Sequence, residues 1–298
     1  MRILVVGASG FLGGAVALRL LRDGHAVTAL VRDVAKAGHM QDAGFALRAG
    51  SLDDTAALQR AVEDADAVIN AADSDHAAGV GAILDAVADT AKTFLHTSGI
   101  SVTADRAAGA ASATILDEDT AFTPVPERAA RYTLDAAVRR AMERGCRPMV
   151  ICCPLVYGAP VWPGRESVQI PHLVKDARER GVARYVGSGE ARWSRCHIDD
   201  IAEAYVLALT KGQAGGLYYP ESGEQSWAEL ATRIGGIVGV PAETWTLDEA
   251  TAAWGPRALW TYCSNARTLG VRLRRDLGWT PRIDDIDADI RRLAGTLA

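Results

Sequence analysis

The middle of this 298-residue chain has no lysine between Lys92 and Lys175, so no ammonium group can come from that stretch. The five cysteines (146, 152, 153, 196 and 263) form no C-x-x-C pair and no disulfide framework, which points to a reducing, cytoplasmic setting. Cys152 and Cys153 fall in an apolar run and read as small core residues. The six histidines (25, 39, 76, 96, 172 and 197) show no ligand spacing, and no metal is expected. There is no G-x-S-x-G elbow and no P-loop. No apolar run is long enough to span a membrane, and no apolar leader precedes the first strand, so neither a membrane partner nor a signal peptide is expected. A formal net charge of −5 argues against nucleic acid and anionic lipid as partners.

What is present begins at the first residues. Ile3–Val6 is a short apolar strand, followed by Gly7, Gly10 and Gly13 and then by an apolar-periodic helix through Val16, Leu18 and Leu20. A strand, a glycine turn and a helix let backbone approach a pyrophosphate and aim helix N–H groups at it. Ser9, Phe11 and Leu12 fill the same turn and helix start, so all six positions are candidate cofactor contacts. The second strand, 26–31, ends Leu30-Val31-Arg32 with no acid. An Asp or Glu there would accept from a ribose 2′-hydroxyl and repel a 2′-phosphate, whereas Arg32, with Lys36 one turn on, would bind that phosphate. The expected cofactor is therefore NADP(H), although Asp33 stands close to the same site.

Strand patterns at 2–6, 26–31, 45–49, 67–72, 93–97 and 148–153 alternate with helical ones near 11–23, 54–64, 77–91 and 127–144. That alternation predicts an α/β fold with a doubly wound parallel (Rossmann) sheet. Asp53 and Asp54 supply capping chemistry before the helix near 55. Residues 101–126, rich in Ala, Gly, Asp and Pro, read as a loop over the cofactor end of the sheet. The composition then shifts: all four Phe lie at or before residue 122, and all seven Trp lie after residue 160. Residues 1–157, with a helix at about 198–211, are expected to bind the dinucleotide; 158–197 and 212–298 would form a smaller substrate lobe. Its aromatic content suits either a lobe core or a cleft. Trp162, between Pro160 and Pro163, is expected to be the most exposed tryptophan, followed by Trp254 and Trp260, with Trp193 as a further cleft candidate.

These features resemble the extended short-chain dehydrogenase/reductases of the NAD-dependent epimerase/dehydratase superfamily. Besides the glycine turn, Asn70-Ala71-Ala72 ends the fourth strand, where the family's backbone passes the adenosine ribose and pyrophosphate. Thr97-Ser98-Gly99 ends the fifth, where the family keeps its catalytic Ser or Thr. Pro154-Leu155-Val156-Tyr157-Gly158 matches the family's RPxxVYG, except that Cys153 replaces the Arg. Cys196–Ala202 resembles its VHVDDVA element, with Asp199 expected to cap a helix and Asp199 and Asp200 to be structural. The resemblance implies cofactor contacts at Ser51, Leu52, Ala71, Ala72, Thr97, Pro154, Leu155 and Val156. It implies substrate contacts at Ser98, Gly99, Ile100 and Tyr157.

One element departs from the family. Its active site is Tyr-x-x-x-Lys, in which the Lys lowers the phenol pKa from about 10. Here Tyr132 is followed four residues on by Ala136, and Arg139 and Arg140 do not titrate usefully. A cofactor site kept and a Tyr/Lys couple lost resembles the atypical members of the superfamily, which include ketoreductases of aromatic polyketide pathways such as angucyclinone ketoreductases. The resemblance thus implies NADPH-dependent hydride transfer to a ketone on a polycyclic aromatic small molecule by a monomer or homodimer. The alkoxide's hydrogen bond would come from Ser98, Thr97, Tyr132 or a phenol on the substrate itself. Two alternatives stay open: a non-catalytic NADP-binding sensor, and a sugar-nucleotide epimerase or dehydratase. His96, beside Thr97, reads as a core residue more readily than as a catalyst.

Overall fold

Ile3, Leu4, Val5 and Val6 are apolar in succession, the pattern of a strand covered on both faces. In the computed structural model, which describes residues 1–296, all four are buried. Ile3 and Val5 join one apolar cluster, and Leu4 and Val6 join another on the opposite face. The strand belongs to a seven-stranded parallel sheet: β1 (Arg2–Val6), β2 (Ala26–Val31), β3 (Ala46–Ala49), β4 (Ala67–Asn70), β5 (Thr93–Gly99), β6 (Arg147–Cys153) and β7 (Gly216–Tyr218). Their order is β7-β6-β5-β4-β1-β2-β3. The order reverses between β1 and β4, and sites in such sheets form at the carboxyl ends of the strands beside that reversal.

Helices α1 (Phe11–Arg22), α2 (Thr55–Glu63), α3 (Ala77–Val87), α4 (Ala129–Arg140), α5 (Gln169–Arg180), α6 (Ile198–Lys211) and α7 (Trp227–Val238) cover the sheet and build the second lobe. Val16 and Leu20 of α1 meet Ile201, Tyr205 and Ala208 of α6 on one face. Leu58 and Val62 of α2, Ile83 of α3 and Val138 of α4 cover the other. Asp54 caps α2 as its sequence predicts, accepting from the Ala57 N–H at 2.9 Å. The expected helix 77–91 stops at Val87, because Asp89 and Ala91 take φ of +57° and +56°. Strand β7 has no counterpart in the sequence reading, being only three residues long.

The second lobe contains a three-stranded sheet of Leu155–Tyr157, Arg192–His197 and Gly223–Ser226. Helices α5, α7 and Ile286–Thr296 pack Ile170, Val174, Leu230, Ile234 and Ile290 against it. The expected range 212–298 runs beyond the described residues at 297 and 298. One expectation needs correction: Asp199 does not cap α6. His197 does, its Nδ1 accepting from the Asp199 N–H. Asp200 is structural, its buried carboxylate accepting from the backbone N–H groups of Arg282 and Ile283. Among the described residues no helix is long and apolar enough to cross a membrane.

Candidate functional site

At the end of β1 the chain turns so tightly that side chains are excluded. Gly7 has φ +91°, and a Cβ there would lie 2.6 Å from the Ala71 carbonyl carbon. A Cβ on Gly13 would lie 2.2 Å from the Gly7 oxygen. The Gly10 N–H donates to the Gly7 oxygen at 2.9 Å, closing the turn. Gly10 precedes α1 without a side-chain cap, and no acid stands in the first helical turn. Unoccupied N–H groups and the positive end of the helix dipole thus face the groove, the arrangement that receives a pyrophosphate. The Asn70 Oδ1 accepts from the Ala72 N–H at 3.2 Å and shapes the groove's opposite wall. Ser51 and Leu52 lie just beyond β3, and buried Leu52 packs beneath Gly79 of α3.

Beside this cradle lies a cavity of about 490 Å3, lined by Ser9, Arg32, Lys36, His39, Trp162 and Arg165 among others. Three cations face one acid, Asp33, which pairs with Lys36 at 3.4 Å. Among the described residues Arg32 and Arg165 have no ion-pair partner. A dinucleotide's pyrophosphate fits the cradle. Trp162 reverses its expectation of exposure. It is only 8 % exposed. Its indole N–H donates to the Ala8 carbonyl at 2.7 Å, and its ring packs edge-on to His39 and Phe45.

At the end of β5 successive side chains enter opposite helix layers. The Thr97 hydroxyl lies 2.6 Å from the Tyr205 hydroxyl on α6. The Ser98 hydroxyl, expected to face the substrate, donates instead to Asp135 Oδ2 on α4 at 2.6 Å. Both residues are buried. Behind Ser98, His96 Nδ1 lies 3.2 Å from Asn70 Nδ2. Because the Asn70 oxygen is taken by the Ala72 N–H, its amide nitrogen is the atom facing His96. Nδ1 therefore accepts and Nε2 carries the imidazole proton. Nε2 lies 3.7 Å from Asp135 Oδ1, and neither atom has a hydrogen-bond partner. Burial pushes the Asp135 carboxyl up to about 7, against the pull of Ser98 and Arg131. Burial, helped by the Arg131 charge, pushes His96 down to about 4.

Asp135 also identifies which side of α4 faces β5. Residues four apart share a helix face, so the row runs through Arg131 and Asp135. Arg131 Nε and Nη2 grip the Asp75 carboxylate at 2.7 and 2.5 Å, and Nη1 donates to the Ser101 hydroxyl at 3.1 Å. Tyr132 and Ala136, the positions of the family's Tyr-x-x-x-Lys pattern, occupy the neighbouring row. Both line a cavity of about 50 Å3 together with Asp135, Phe122 and Tyr219. Tyr132 is 38 % exposed and meets Phe122 edge-on at 5.2 Å.

The other expected substrate residues are scattered. Ile100 is buried, Gly99 half-buried, and Tyr157 is buried with its hydroxyl donating to the Ile283 carbonyl at 3.1 Å. Trp193 is a lobe core residue, its N–H on the Ser264 carbonyl at 3.0 Å and its ring against Trp227. Trp254 packs between Trp245 and Tyr262. Trp260 lines a cavity of about 200 Å3 beneath the Arg128 guanidinium. Pro154 and Leu155 are buried, and Val156 is half-buried.

A model of the NAD dependent epimerase/dehydratase family matches residues 3–219. An oxidase of an Acremonium species is 30% identical over 94% of this chain and 92% of its own length. The 4-hydroxy-2-methyl-3-oxo-4-farnesyl-3,4-dihydroquinoline-1-oxide ketoreductase of Stigmatella aurantiaca is 26% identical over 75% of this chain and 69% of its own length. Among solved structures, the UDP-glucose 4-epimerase of Thermotoga maritima superposes with a TM-score of 0.77 at 18% identity, covering 100% of this chain and 98% of that one.

Proposed function

The chain belongs to the NAD dependent epimerase/dehydratase family, and from that premise we propose that it is an NADPH-dependent ketoreductase reducing a ketone on an aromatic, polyketide-type small molecule. One observation carries the cofactor choice: the cavity at the end of β2 gathers Arg32, Lys36 and Arg165 where an acid would reject a 2′-phosphate. The tight contacts of Gly7 and Gly13 support the pyrophosphate beside it. A reduced nicotinamide, when bound, supplies hydride.

The chain's own residues hold and shield. The α1 N-terminus receives the pyrophosphate, and Trp162 closes the wall of the phosphate cavity. Thr97 and Ser98 brace the end of β5 through Tyr205 and Asp135, so we assign them to positioning. Tyr132 carries an exposed hydroxyl on α4, and we assign it proton donation together with any hydroxyl beside the substrate ketone. Three observations support an aromatic ketone. Phe122, Tyr132 and Tyr219 line one cavity, Trp260 lines another, and a relative is a ketoreductase of a quinoline oxide. The burial of Trp162 and Trp193 removes those two rings from that argument.

The test is NADPH oxidation with three ketone sets: aromatic with a neighbouring hydroxyl, aromatic without it, and aliphatic. Turnover fastest on the first set, and little changed by Tyr132→Phe on that set alone, is expected. NADPH bound but never oxidised with any ketone would mark a sensor, and turnover confined to nucleotide sugars would mark an epimerase or dehydratase.

A further inference from the structure

We propose that Arg131 is the catalytic residue that holds the reacting oxygen. The assignment rests on the reductase reading above. It begins from the rigidity of the guanidinium. Nε and Nη2 are locked on both oxygens of Asp75, and Nη1 is locked on Ser101. These contacts use three of the five N–H bonds, leaving one on Nη1 and one on Nη2 for another acceptor.

The place for that acceptor is set by Gly99. A Cβ at Gly99 would lie 3.3 Å from Arg131 Nη1, so the absent side chain is what keeps the approach to Nη1 clear. Gly99 ends β5, one strand from β4, whose continuation Ala71–Ala72 forms the wall of the glycine cradle. The unpaired N–H thus stands at the carboxyl edge of the sheet, where such folds bring cofactor and substrate together.

Electrostatics favour the same role. The Arg131 side chain is 14 % exposed and its partner Asp75 is 50 % exposed. Water screens the carboxylate more than the guanidinium, so the pair leaves a field that attracts developing negative charge. The other carboxyl on this row, Asp135, accepts from Ser98, and burial raises it to about 7, which weakens its opposition to that field. Asp75 holds Arg131 fully charged despite burial. A guanidinium stabilises an oxyanion without surrendering its proton.

A bound reduced dinucleotide would supply hydride to the carbonyl carbon and leave oxidised, the C=O π pair moving on to oxygen. The resulting alkoxide accepts the free Arg131 N–H. A proton from the Tyr132 hydroxyl, itself reprotonated by water, or from a hydroxyl beside the carbonyl then completes the alcohol. Arg131 stays protonated throughout, which removes the need for a phenol sharpened by lysine.

The experiment compares wild type with Arg131→Ala and Arg131→Lys, reading kcat, KM, NADPH affinity by fluorescence titration and melting temperature. For Arg131→Ala the expected loss in kcat is about 100- to 1,000-fold, the cost of one oxyanion donor, with NADPH affinity unchanged. Added guanidinium ion restores part of that loss, whereas ammonium ion does not. Arg131→Lys keeps the charge and is expected to melt like wild type while losing most of kcat, because a point ammonium cannot grip Asp75 and the oxygen together. Wild-type kcat in Arg131→Lys overturns the assignment, as does loss of NADPH affinity in step with kcat. A wild-type protein that binds NADPH but reduces no ketone overturns the reductase reading itself, a result separable from either variant's behaviour.

Discussion

Replacing Asp135 by asparagine should change how stability depends on pH. In the folded protein His96 is held at about 4 and Asp135 at about 7, both by burial. In an unfolded chain the same groups take ordinary values, about 6.5 for histidine and 3.9 for aspartate. As pH falls from 6.5 to 4, the unfolded chain gains a histidine proton that the folded one refuses, which lowers stability. Over the same window the folded chain keeps an Asp135 proton that the unfolded one lacks, which raises stability as pH falls. The two slopes are equal and opposite, so the wild type is nearly flat with respect to this pair. Asp135→Asn removes one of them. At 1.36 kcal/mol per pH unit, the variant should lose about 3 kcal/mol relative to wild type between pH 6.5 and 4. The groups facing Asp135 are Ser98, His96, Arg131, Arg139, Asp75, Cys152, Tyr132 and Tyr219, and all are retained in the variant. Urea denaturation followed by tryptophan fluorescence across that range reads the difference directly, because the remaining carboxylates are common to both proteins. Parallel stability curves would refute the reasoning.

Gly13→Ala places a methyl 2.2 Å from the Gly7 oxygen, so the turn must open; a lower melting temperature and lost NADPH binding are expected, and unaltered binding in a titration would contradict the cradle. Trp162→Phe removes the indole bond to Ala8 and should cost about 1 kcal/mol in denaturant unfolding, with NADPH affinity falling and kcat at saturating NADPH unchanged. Asp200→Ala leaves the Arg282 and Ile283 N–H groups without their carboxylate and should cost about 2–3 kcal/mol of stability by the same assay; a change within experimental error would count against that anchor.

The sheet was legible because its strands are continuous apolar runs and its glycines have one steric use. Gly7, Gly10 and Gly13 sit where the turn needs them, and the end of β2 opens on to a cavity where Arg32, Lys36 and Arg165 face the single acid Asp33. The capping of α2 by Asp54 was legible for the same local reason. Long-range partners were not. Nothing near Trp162 in sequence announces the Ala8 carbonyl it meets, and a Pro/Gly loop looked like an exposed one. The part played by Arg131 and Asp135 was less legible: Tyr-x-x-x-Lys points to Tyr132 and Ala136, whereas a helix turns about 100° per residue, and the α4 residues bonded to the end of β5 and the turn after it are Asp135 and Arg131. A signal was available: Asp135 precedes Val138 and Ala141 at helical spacing on the buried face, which sets Arg131 on that face one turn earlier. For the short strand β7 and the interlocked second lobe, most contacts cross long stretches of chain, and no local pattern encodes them.

The most direct measurement is a calorimetric titration of wild type and Arg32→Glu with NADPH and with NADH. The cation-lined cavity beside the glycine cradle requires that wild type bind NADPH more tightly than NADH, and that Arg32→Glu abolish or reverse that preference. Equal affinity for the two cofactors, or a preference indifferent to the charge at residue 32, would contradict the account.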